Sequence, residues 1–149
     1  MTSLNADLGF LLSRASGLVV RASNAALATE GLRVRQYSVL VLACDAADGM
    51  SQRELAQVLG LDPSQVVALV DELADAGLVE RRPDPADRRT RLVVATPAGR
   101  RTRQTAAARV AEAAVEPLRS LTEEEHGTLQ RLLGRVVADA GSPAEVRVR

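Results

Sequence analysis

The sequence predicts a mainly α chain with a small β-hairpin wing, a winged helix-turn-helix framed by N- and C-terminal helices. Three observations predict it. The stretch from Ser51 to Val79 repeats apolar residues at helical spacing on both sides of one glycine, Gly60. Two short strand-like runs follow at once, separated by a turn rich in Arg, Pro and Asp. Long helical stretches lie at both ends of the chain, with apolar stripes that a small central module cannot cover by itself.

Each element has a local cause. From about Leu4 to Ala28, apolar residues recur at Leu8, Leu11, Leu12, Ala15, Val19, Ala22 and Ala26, and Gly31 ends the run. A second helix is expected from about Val34 to Ala47, closed by Gly49. Ser51 with Glu54 makes a capping box for the first helix of the motif. Ala56 falls where the two motif helices cross most closely, with Val66 facing back towards it. Gly60 takes the turn, where positive φ is needed and glycine adopts it cheaply. Leu55, Leu59, Leu61, Leu69 and Leu73 fill the other inward positions. Asp62, Pro63 and Gln65 supply a cap, an N1 proline and a capping partner for the second motif helix, which Gly77 stops. Leu78–Arg82 and Arg91–Ala95 read as strands, and Pro83, Asp84, Pro85 and Asp87 as the turn between them. Thr96 caps a long helix opened by Pro97, which runs to about Glu116 and is broken at Pro117. A last helix starts at Thr122, with Glu125 as its capping partner and Glu123 and Glu124 at the favourable end of the dipole. It fades near Gly141, and residues 142–149 read as a loose tail.

Composition narrows the function. A chain of 149 residues is one domain's worth and can bury a core without staples. With one Phe, one Tyr and no Trp, that core is built from Leu, Val and Ala. The formal net charge is zero, so any attraction to nucleic acid must come from a local patch. Arg81, Arg82, Arg88, Arg89 and Arg91 form one against Asp84 and Asp87, and Arg100, Arg101, Arg103 and Arg109 follow. One cysteine gives no disulfide framework and no metal cluster within the chain. His126 is the single histidine and has no second ligand or nucleophile beside it, so neither a metal nor a catalytic site is expected, and no cofactor. Asp7, Arg14 and Arg21 interrupt the apolar N-terminus, so neither a signal peptide nor a membrane span is expected and the chain reads as cytoplasmic.

A groove-reading helix beside a basic wing is a way of holding double-stranded DNA. The candidate DNA contacts are Ser51 and Gln52 at the start of the first motif helix and Pro63, Ser64 and Gln65 at the start of the second. Arg82, Arg88, Arg89 and Arg91 are the candidates on the wing, with Asp87 orienting a nearby arginine. The second motif helix has no Arg, and Asp71, Glu72 and Asp75 make it acidic, so an arginine–guanine fork is not open to it. Gln65 can grip adenine or serve as a cap. The stripes Ala106, Val110, Ala113 and Leu129, Leu132, Leu133, Val136 need partners, which a two-fold dimer would supply. The expected site is then an inverted repeat with half-sites about 10 bp apart, centre to centre.

In order and motif the chain resembles the MarR family of bacterial transcription regulators, over roughly residues 6 to 140. The most specific piece is Asp87-Arg88-Arg89 with Leu92, Thr96 and Gly99, after the helix stop Gly77-Leu78-Val79. It is similar to the family's wing pattern of an aspartate, an arginine two residues on, and a Leu-x-x-x-Thr-x-x-Gly exit. The resemblance implies a winged helix-turn-helix at about 33–98 and dimerisation helices at about 4–30 and 97–140. It also implies a ligand cleft between the dimer helices and each winged module, for a small aromatic or phenolic compound. Phe10, Leu11, Arg14, Tyr37 and Val41 are the candidates to line it. Val67 and Ala68 depart from the Thr or Ser followed by Arg of many relatives, and Glu72 stands where a basic residue is frequent.

Two other readings follow from the residues. A winged helix can bind a protein instead of DNA, which the acidic second motif helix would suit. Some relatives sense peroxides through a cysteine, but Cys44 sits at a helix C-terminus beside Asp45, which disfavours its thiolate.

Overall fold

The computed structural model describes residues 4–141; the tail expected at 142–149 lies outside the described residues. A 3₁₀ turn at Leu4–Ala6 leads into α1 (Leu8–Leu27), where Asp7 accepts the Phe10 N–H at 2.7 Å and satisfies one orphan donor of the first turn. A second 3₁₀ turn, Ala28–Glu30, closes α1 at Gly31. Next come α2 (Val34–Asp45), a two-residue strand β1 (Met50–Ser51), α3 (Gln52–Leu59) and α4 (Pro63–Asp75). The wing is β2 (Val79–Pro83) and β3 (Arg91–Ala95), followed by α5 (Pro97–Val115), a 3₁₀ turn at Glu116–Leu118 and α6 (Glu123–Gly141).

The boundaries fall close to those expected, and one element is new. The hairpin is part of a three-stranded antiparallel sheet ordered β1-β3-β2, in which Met50 pairs with Val93 and Ser51 with Leu92. Two residues are too few to show a period, so only the partner strand reveals β1. The β2–β3 register runs from Val79 opposite Ala95 to Pro83 opposite Arg91.

One core joins the helix-turn-helix to the sheet. Leu27, Val39, Leu40, Leu55, Val66, Val70, Leu73 and Val93 are its largest buried side chains, and Ala106 brings α5 onto it. At the α3–α4 turn Gly60 has φ +63°, and both its N–H and that of Leu61 donate to the Ala56 carbonyl. The exit from the wing is a tight knot. Thr96 N–H donates to the Leu78 carbonyl at 3.0 Å, and its hydroxyl donates to the Gly77 carbonyl at 2.7 Å and accepts from Gly99 N–H at 3.0 Å. A Cβ at Gly99 would stand 2.0 Å from the Leu78 oxygen, which gives the Thr-x-x-Gly exit its physical reason.

The terminal helices are not covered. In α1 only Ser23 and Leu27 are buried, and Leu8, Leu11, Leu12 and Leu18 are exposed. In α6 the whole run from Arg131 to Ala140 is exposed, with Leu132 at 45%, Val136 at 65% and Val137 at 67%. Thr122 and Glu125 cap this helix reciprocally, at 2.8 and 3.2 Å, so it is well started, yet along its apolar stripe Leu129 is half-buried and Leu132, Leu133 and Val136 are exposed.

Candidate DNA interface and ligand cleft

The first turn of α4 is built as the sequence suggests. Pro63 stands at N1, where a missing N–H costs nothing, and the Asp62 N–H donates to Gln65 Oε1 at 3.1 Å. The Gln65 carbonyl is therefore a cap, and only its amide NH₂ is left to meet a base. Ser64 and Gln65 are both exposed. At the start of α3 the Ser51 hydroxyl is shared between Glu54 N–H (3.2 Å) and the Glu54 carboxylate (2.8 Å). Ser51 and Gln52 are half-buried.

Several candidate contacts have partners inside the chain. Gln52 Oε1 accepts from Arg81 Nε at 3.0 Å, and Arg81 Nη2 meets Asp71 at 2.6 Å. Arg81 thus ties α3, α4 and the wing together, a role that sequence reading missed because its two partners are 29 and 10 residues away. Arg82 pairs with Glu80 on the same strand. Arg88, Arg89 and Arg91 are exposed and form no ion pair among the described residues. They are the wing's uncommitted cations.

Asp87 acts differently from the expectation. Its carboxylate accepts from the Arg89 backbone N–H at 3.0 Å and the Thr90 hydroxyl at 3.3 Å. It holds the backbone of the wing tip, not an arginine side chain. Asp84 does the same one step earlier, accepting from Ala86 N–H at 2.8 Å. Such local carboxylate–backbone bonds preset the turn and hold Arg88 and Arg89 outward.

A cleft of about 1100 Å³ opens between α1, the entry to α2 and α4. Val20, Asn24 and Ala28 line it from α1, Leu32, Arg33, Val34, Arg35 and Gln36 from the α2 entry, and Leu69 and Glu72 from α4. Asn24 Oδ1 accepts from Val34 N–H at 2.9 Å, and Gln36 Oε1 accepts from Arg33 N–H at 2.9 Å, so both side chains cap α2. The Gln36 amide then donates to the Glu72 carboxylate on α4. This bond gives the Glu72 carboxylate a partner inside the chain. Phe10, Leu11, Arg14, Tyr37 and Val41 do not line this cleft. Phe10, Leu11 and Arg14 lie one to two turns or more towards the start of α1, Phe10 about 15 Å from Val20 at 1.5 Å per residue. Tyr37 packs against the core. The five candidates followed from the resemblance, whereas this cleft is lined in part by Asn24 and Gln36, which cap α2.

Burial, the largest influence, pushes the Cys44 thiol up, Arg100 and Arg103 pull it down, and Asp45 pushes it up again; the net direction is up. A raised thiol is a poor peroxide-reactive group. No helix among the described residues is long and apolar enough to cross a membrane.

Residues 30–90 match the model of the MarR family. A putative transcriptional regulatory protein for the hcr operon from Thauera aromatica is 32% identical, covering 97% of this chain and 88% of its own. Among solved structures, a MarR-family transcriptional regulator from Rhodococcus sp. RHA1 is 47% identical with a TM-score of 0.87, over 92% of this chain and 96% of its own. CouR from Rhodococcus jostii RHA1, bound to p-coumaroyl-CoA, is 46% identical with a TM-score of 0.84, over 99% of this chain and 100% of its own.

Proposed function

The chain belongs to the MarR family of DNA-binding transcriptional regulators, and on that premise we propose that it is a homodimeric repressor released from its operator by an aromatic ligand. The observation that carries the proposal is the cleft, whose wall is hydrogen-bonded directly to the recognition helix through Gln36 and Glu72. A ligand can release DNA only by favouring a different placement of that helix, and a bond from cleft wall to helix supplies the lever. Val20, Leu32, Val34 and Leu69 offer an apolar bed, and Arg33 and Arg35 offer charge to an anionic group. With a relative at 46% identity holding p-coumaroyl-CoA, the ligand class is an aromatic acid or its coenzyme A thioester.

In this reading residues 33–98 form the winged DNA-binding module and 4–30 and 97–140 the dimerisation helices. The exposed stripes of α1 and α6, Leu11 included, meet across a two-fold axis. Ser64, Gln65, Arg88, Arg89 and Arg91 contact the DNA, while Ser51, Gln52, Pro63, Arg82 and Asp87 hold the elements that do. The protein acts in the cytoplasm and without catalysis. Asp71 and Glu72 are already engaged by Arg81 and Gln36, so the acidity that would suit a protein partner is partly neutralised.

The test is a mobility shift on the region upstream of the chain's own reading frame, repeated with p-coumaroyl-CoA and with free aromatic acids. Release of an inverted-repeat duplex by one of them is the expected result. Binding that no such compound weakens overturns the ligand-released reading, and absence of any bound duplex in the region or in genomic fragments overturns the repressor reading.

A further inference from the structure

We propose that α4 reads thymine, through its C5-methyl group, with Val67 and Ala68. The inference rests on the DNA-binding reading and names the base edge that this helix meets. Ser64, Val67, Ala68 and Asp71 stand at i, i+3, i+4 and i+7, on the face turned away from Val66, Val70 and Leu73, which are buried in the core. All four are exposed, and Val67 keeps 39% of its surface in solvent. The outward stripe is thus polar only at its first position and acidic from Asp71 onward.

Charge decides which half enters the groove. The first turn of α4 carries no acidic residue, and its amide dipole favours phosphates there. Asp75 further along is exposed, forms no ion pair among the described residues and would be repelled by them. The helix therefore approaches by its N-terminal half, which presents Ser64, Val67 and Ala68. No Arg or Lys occurs on α4, and Gln65 holds its carbonyl on the Asp62 N–H, so the bidentate forks for guanine and adenine are both closed. The one apolar feature of the major-groove edges is the thymine methyl. Val67 and Ala68 gain by burying it. Facing cytosine N4 or guanine O6 instead, they would strip water from a polar group and return no hydrogen bond. The short Ala68 side chain also lets the helix backbone come close to the bases.

The experiment begins with duplexes recovered by the full-length protein from a randomised pool. Each thymine of a half-site is then replaced in turn by deoxyuridine, which removes the methyl and leaves Watson–Crick pairing intact. At the contacted thymines the wild-type protein should lose about fourfold in affinity per methyl. Val67→Ala should bind the thymine duplex more weakly and show a smaller loss on replacement by deoxyuridine. Val67 is solvent-facing, so the variant should fold, and an unchanged melting temperature checks this. Equal affinity for thymine and deoxyuridine at every position overturns the inference alone, as does an undiminished methyl effect in Val67→Ala. Failure to recover any duplex overturns the DNA-binding reading and this inference with it.

Discussion

Gly99 is the residue at which one added methyl should do most damage. The Leu78 oxygen that a Cβ would strike is also the acceptor for Thr96 N–H, so it cannot retreat without breaking the knot between α4, the sheet and α5. Gly99→Ala should destabilise the fold by about 1–3 kcal/mol or more, read as a lower urea midpoint at unchanged slope. Gln65 answers a question that its position alone leaves open. Its carbonyl accepts from the N-cap N–H of α4, so Gln65→Ala should cost about 0.5–1.5 kcal/mol of stability and leave relative base preference intact. A changed preference in footprinting would show that its amide reads a base as well. Cys44 should react with iodoacetamide near neutral pH more slowly than an unstructured thiol. Its raised pKa leaves less thiolate, and the rate should climb only as pH rises beyond the usual thiol range. A faster reaction than that of free cysteine would reopen a redox role.

At the scale of elements, wing and terminal helices carry separable predictions. Arg88 and Arg89 are exposed cations on a tip whose backbone Asp87 presets. Replacing both by Ala should weaken binding across all sequences and reduce the salt slope by about 2 per protomer, about 4 for the dimer; an unaltered slope would remove the wing from the interface. Asp87→Ala should act indirectly, by loosening the tip, and so lower affinity with little effect on melting temperature. On α6, Leu132→Asp and Val136→Asp place charges on the uncovered stripe. Each should cost the dimer at least about 1.5–3 kcal/mol per buried side chain lost, seen as monomer in light scattering at micromolar concentration. A dimer that survives both changes would put the two-fold contact elsewhere.

For the whole molecule the central quantity is the coupling between cleft and operator. It should amount to about 1–3 kcal/mol and be reciprocal, so DNA weakens the ligand by the same factor as the ligand weakens DNA. Gln36→Glu keeps an acceptor for the Arg33 N–H but replaces the donor to Glu72 with a like charge. It should shrink the coupling, measured as the ratio of ligand affinities with and without operator, a ratio that any direct effect of the new carboxylate on ligand affinity leaves unchanged. Full coupling in this variant would mean that the signal travels by another route.

The sequence by itself determined what depends on near neighbours. The capping boxes at Ser51–Glu54 and Thr122–Glu125, the N1 prolines, the turn at Gly60 and the basic hairpin are all legible because each joins residues within a few positions. The same holds for the helix-turn-helix and so for the family and its DNA-binding role. The tertiary structure alone decided which polar side chains are free. Gln52 and Asp71 are joined through Arg81, Glu72 is engaged by Gln36 from 36 residues away, and β1 exists only because β3 lies beside it. It likewise decided where the cleft opens, at side chains that cap α2 instead of at Phe10, Arg14 or Tyr37. Periodicity reports which face of a helix avoids water; which polar group meets which other one is fixed by packing between distant segments, and no local pattern encodes it.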